Sequence, residues 1–124
     1  MQRERKVWGD RFLIRKDSTH ANSFLEIRKG FECSWHKHQE KYNLFFVISG
    51  VLRIVTKQFD GKHFVDLTQN EFFTTKPGEM HKFTAIEDSQ VIEEMYVEYR
   101  ESDIQRENTG GKVSDSELPK CGGI

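Results

Sequence analysis

From Phe24 to Tyr99 the chain is a succession of short apolar runs broken by turn signals, with no sustained helical period. The longest uninterrupted run is the five residues Leu44 to Ile48. That texture fits short strands wrapped around one core, a β-barrel or β-sandwich. It predicts strands over Phe24–Ile27, Glu32–His38, Leu44–Ser49, Val51–Lys57, His63–Leu67, Phe72–Thr75, Met80–Ile86 and Gln90–Tyr99. Lys29-Gly30, Gly50, Pro77-Gly78 and Glu87-Asp88-Ser89 separate them, and Asp60-Gly61 predicts a type I′ hairpin. A length of 124 residues suits one domain, and ten Phe, three Tyr and two Trp supply burial area for one core.

The flanks differ from this middle. Residues 1–23 mix charge with the cluster Phe12-Leu13-Ile14 and read as an arm or edge strand; residues 24–99 read as the barrel. Residues 100–124 are rich in charge and glycine and form a polar tail, its first part expected to dock and the part after Gly111 expected to be mobile. Leu44, Phe46 and Ile48 alternate with Phe45 and Val47, so that strand is apolar on both faces and needs two covers. A second subunit would supply the outer one and make the protein a homodimer; the N-terminal arm is the alternative.

Nineteen basic against twenty acidic residues give a net charge of -1, which offers nothing to nucleic acid or to an anionic membrane. No run approaches the length of a transmembrane helix. The charged start leads into no signal region, and the two cysteines, Cys33 and Cys121, cannot form a multi-bridge framework. A reduced, cytoplasmic protein is expected.

The chemistry concentrates in histidine. His36 and His38 lie two apart in a stretch read as strand, so both rings share a face and can converge on one ion. A solvated pair on an exposed strand has the same spacing. A third imidazole, His81, follows the tight turn Pro77-Gly78-Glu79-Met80. His20 and His63 read as surface residues. Phe83 and Ala85 share a face with His81, and Phe45 and Val47 share one with Asn43, enough for an apolar wall or simply for core.

Gly30, His36, His38 and Gly50, followed by Pro77, Gly78 and His81, resemble the two ordered motifs of the cupin family. The resemblance implies an all-β, double-stranded β-helix (a jelly-roll barrel) with a divalent transition metal, Zn, Mn, Fe or Ni, held by His36, His38 and His81. The family's ligand glutamate is replaced by Asn43, which as a neutral amide is a weaker donor. Asn43 is thus either the fourth ligand or the mark of a decayed site. Three imidazoles and an amide leave the ion's charge unneutralised and favour an anionic substrate or hydroxide. Glu40 is near enough in sequence to serve as ligand or base, or simply to be a loop charge.

Val47-Ile48-Ser49-Gly50, Arg53, Asn70, Pro77-Gly78-Glu79-Met80-His81 and Asp103-Ile104-Gln105-Arg106 further resemble the cupin domain of bifunctional mannose-6-phosphate isomerases. This implies a sugar or sugar phosphate as small-molecule substrate, isomerised or epimerised, with Arg53 or Arg106 on a phosphate and Glu40 as a base. An Fe(II)-dependent dioxygenase and a non-catalytic sugar-binding module are the other readings of the same histidines.

Overall fold

The computed structural model describes residues 1–98, 106–107 and 109–117. Among these the protein is built from nine strands: β1 (Gln2–Lys6), β2 (Gly9–Lys16), β3 (His20–Ile27), β4 (Tyr42–Ser49), β5 (Leu52–Gln58), β6 (Gly61–Leu67), β7 (Phe72–Thr75), β8 (Met80–Ala85) and β9 (Ser89–Tyr96). They form two antiparallel sheets, one ordered β1-β2-β3-β9-β4-β7 and one ordered β6-β5-β8. No described helix is long and apolar enough to cross a membrane.

The first 23 residues are strands of the large sheet: β1 and β2 pair as a hairpin, and β3 already begins at His20. The Asp103–Gln105 element and Cys121 lie outside the described residues, as does most of the tail. Glu32–His38, expected as a strand, is instead an extended segment with two isolated bridges to β8, Glu32 to Thr84 and His36 to His81. The ladder breaks because Cys33 and His36, three apart, bond the carbonyls of Phe83 and His81, which are two apart. The Phe83 N–H donates to the Cys33 thiol at 3.2 Å, so a side chain fills part of the interrupted ladder. The β5–β6 hairpin turns one residue early. Gln58 pairs with Gly61 across Phe59-Asp60, neither of which has positive φ, so the turn is not type I′. Gly50, between β4 and β5, is at φ +92°, and a Cβ there would strike the Asp88 carbonyl and Ser89.

The alternation of the strands fills the space between the sheets with a graded interior. At one end the inward residues are apolar: Ile27, Val47, Leu52, Ala85 and Val91, with Leu25, Ile54, Phe45 and Phe83 beside them. Trp8, from the β1–β2 turn, packs edge-on against Phe83 at 5.1 Å. Toward the other end the same inward positions turn polar, and Ser23, Asn43, Thr56, Thr75 and His81 are all buried. Thr56 pairs with His81 and Asn43 with Thr75, so the polar residues gather at one mouth of the barrel. On the outer face of the large sheet, Phe12, Phe24, Ile92, Phe46 and Phe72 are successive register partners across five strands.

Candidate metal centre

Three imidazoles meet at the polar mouth. One ring nitrogen from each of His36, His38 and His81 lies within 4.8 Å of the others, the only such cluster of histidine, cysteine or acidic side chains among the described residues. The rings of His36 and His81 are 4.5 Å apart, those of His36 and His38 5.2 Å, and those of His38 and His81 5.7 Å. The bridge between His36 and His81 sets this convergence, with β8 aiming His81 inward beside Phe83.

The backbone selects the tautomers. His36 Nδ1 faces the Ser34 carbonyl at 2.9 Å, and His81 Nδ1 faces the Glu79 carbonyl at 2.9 Å. A carbonyl only accepts, so both Nδ1 atoms carry the proton and both Nε2 atoms keep a lone pair. That is the second hydrogen bond that metal-binding imidazoles ordinarily make. His38 Nε2, His81 Nε2 and Asn43 Oδ1 are all buried without a hydrogen-bond partner. Orphaned polar atoms in a protein interior cost about 1–3 kcal/mol each, and a shared cation would relieve all three. Burial pushes the His81 ring down to about 4, against the opposing pull of the Glu79 carbonyl, and the other two rings add to the depression. His38 is lowered too, by burial and then by His36. Neutral rings with free lone pairs are what a divalent ion requires.

Asn43 fits the same picture. It is 1% exposed, and its Nδ2 donates to Glu93 Oε2 at 3.3 Å, leaving Oδ1 as the unbonded end. A cavity of about 390 Å³ opens over the cluster, lined by His36, His38, Asn43 and Glu93 with Arg11 and Trp8 on its wall. Burial raises the Glu93 carboxyl, opposed by Arg11, Asn43 and His36.

No family model matches the sequence, and no curated protein sequence matches it. Solved structures do. KdgF from Halomonas sp. superposes with a TM-score of 0.68 at 16% identity, covering 80% of this chain and 90% of that one. A cupin-2 domain protein from Shewanella frigidimarina gives 0.57 at 20% identity, over 68% of this chain and 76% of that one. Oxalate decarboxylase from Lactobacillus farciminis, crystallised as a formate complex, gives 0.67 at 14% identity, over 82% of this chain but 32% of that longer one. The chain has the cupin fold.

On this cupin barrel the expected site residues separate. His36, His38, His81 and Asn43 come together; Glu40 and Arg53 do not join them. Glu40 is exposed on the Lys37–Lys41 loop at the rim. Arg53 lies between inward Leu52 and Ile54, so the alternation of β5 turns it outward. There it makes two bonds to Asp66, at 2.7 and 3.0 Å, and stacks over Phe64 at 4.2 Å. Arg106 is exposed. His20 and His63 are surface residues; His63 bonds Asp60 at 2.7 Å.

Two charged residues of the cavity, Glu93 and Arg11, escaped the sequence reading. The signal for each is a charge on the inward register of a cupin strand: Glu93 two after buried Val91, Arg11 two after buried Gly9.

Cys33 lines the cavity too, and burial pushes its thiol up to about 11. A raised value keeps it protonated near neutrality, where the thiolate alone reacts. Carbamidomethylation at about pH 8, followed by peptide mapping, is expected to label Cys33 on the order of 100-fold more slowly than an unhindered thiol. Equal rates would refute the assignment.

Proposed function

We propose that this cupin holds a divalent transition metal through His36, His38, His81 and Asn43 and acts on a small polar molecule, a sugar or sugar phosphate, by isomerisation or epimerisation. The observation that carries the reading is the set of three buried, unpaired polar atoms, His38 Nε2, His81 Nε2 and Asn43 Oδ1, with His38 and Asn43 lining one cavity and His81 clustered with His36 and His38. A bound ion would supply Lewis-acid polarisation of a carbonyl oxygen. The protein's own residues do the rest. Glu93 is the one carboxylate lining that cavity, so it takes the base role expected of Glu40, accepting a proton from one carbon and returning it to the neighbour. Trp8, Phe83 and Met95 give the wall its apolar part and limit water.

Incubating manganese-loaded protein with mannose 6-phosphate in D₂O tests this. Deuterium is expected to enter at C2, and the His36→Ala and Glu93→Gln proteins to lose that exchange. Oxygen consumption in place of exchange would make the protein an oxygenase, and saccharide binding without exchange would make it a binding module; either overturns the isomerase reading. The same proposal gives the outer Phe12–Phe72 row a second copy of the chain as its cover, and sedimentation of a monomer would remove that part.

A further inference from the structure

Arg11 occupies a place where the sheet asks for a core residue. Its register partner on β3 is Leu25, which is 1% exposed and pairs in turn with wholly buried Val91. An arginine on the inside of a barrel needs a partner for its charge. The solvent-facing Arg3, Arg15 and Arg53 each bond an aspartate, Asp10, Asp17 and Asp66, while Arg28 bonds the Val7 carbonyl and stacks on Phe31. Arg11 has no carboxylate within ion-pair distance among the described residues. Its one described side-chain bond runs from Nε to Ser23 Oγ at 3.0 Å, and Ser23 is itself buried. That bond anchors the guanidinium and leaves both terminal amino groups free.

Arg11 and Lys6 line the cavity with a single acid, Glu93. Lys6 pairs with Glu4 at 3.1 Å, and the hydrogen bond of Glu93 goes to Asn43, so Arg11 acts on that carboxyl through space and not by a direct bond. An anchored guanidinium with spare N–H groups matches the paired oxygens of a carboxylate or phosphate.

We infer that Arg11 is the residue that binds an acid group of the substrate, so that the cavity selects small molecules bearing a carboxylate or phosphate over their neutral counterparts. The inference rests on the reading of this cavity as the substrate site, and it moves the anion-binding role from Arg53 on β5 to Arg11 on β2.

Calorimetric titration of the manganese-loaded protein with glucose, glucuronate, glucose 6-phosphate and inorganic phosphate tests it. At least one acidic sugar is expected to bind about ten-fold or more tightly than glucose, and the tighter of the two identifies the acid group. Arg11→Gln is expected to erase that preference while still binding manganese. Arg11→Lys, which keeps the charge but loses the fork, should retain part of it, and Arg15→Gln should retain all of it. A wild type without preference for any anion, or an Arg11→Gln protein that keeps the preference, overturns the inference. Should the protein bind no manganese yet still show an Arg11-dependent preference, the metal reading fails and the anion site stands.

Discussion

The His81→Leu protein is expected to bind no divalent ion at concentrations that saturate the wild type, a loss on the order of 100-fold or more in affinity. His81 is 1% exposed and sits 4.5 Å, ring to ring, from His36, so no other described side chain can take its place. The same substitution should change how the metal-free protein responds to acid. The folded ring sits at about 4 against an ordinary value of 6.5, because burial disfavours the charged form. Between those values the unfolded chain binds the proton and the folded chain does not. The contribution of His81 to stability is therefore fully present above 6.5 and is lost as pH falls toward 4, amounting to about 3 kcal/mol. Leucine has no proton to bind, and its volume suits a position beside Phe45 and Phe83. Urea unfolding of both metal-free proteins at about pH 7 and about pH 4 should show a steep loss for the wild type and a flatter one for His81→Leu. Parallel profiles would mean that His81 is not held neutral by burial, and undiminished metal uptake would remove it from the site.

The architecture was legible because turn chemistry and alternation act locally. Gly50 and Pro77-Gly78 mark strand ends whatever the rest of the chain does, and runs such as Leu44–Ile48 can be little else than strand. The histidines were legible for a related reason: spacing on an extended backbone fixes the side on which His36 and His38 emerge, even though the segment proved to be interrupted pairing and not a regular strand. Faces were harder. Whether Arg53 points in or out depends on which of its neighbours reach the core, and Leu52 and Ile54 are the ones that do. The first 23 residues looked peripheral because their charges dominate. Their inward positions, Trp8, Gly9 and Arg11, nevertheless line the barrel once β2 has paired with β3. Glu93 was hidden for a different reason. It lies fifty residues from Asn43 in sequence, and only the pairing of β4 with β9 brings the carboxylate to the amide.

That contact sets the second large effect. Removing the Glu93 carboxyl in Glu93→Leu is expected to weaken metal binding about 10- to 100-fold, although Glu93 is not itself a proposed ligand. The Asn43 side chain has two chemically different ends, and a carboxylate oxygen can take only the N–H end. The 3.3 Å bond from Nδ2 to Glu93 Oε2 therefore leaves Oδ1 as the end available to an ion. With leucine at 93 nothing selects between the two orientations, and one of them presents N–H groups to a cation. Glutamine can still accept from Asn43 through its carbonyl, so Glu93→Gln should restore most of the affinity. Titration of manganese or nickel into the single variants, into Asn43→Leu, and into the double variant separates orientation from general loosening. Where Glu93 works through Asn43, removing it costs nothing further once Asn43 is gone. An equal loss in both backgrounds would make Glu93 a packing residue. Wild-type affinity in Glu93→Leu would mean that the amide needs no orienting and that the three imidazoles hold the ion alone.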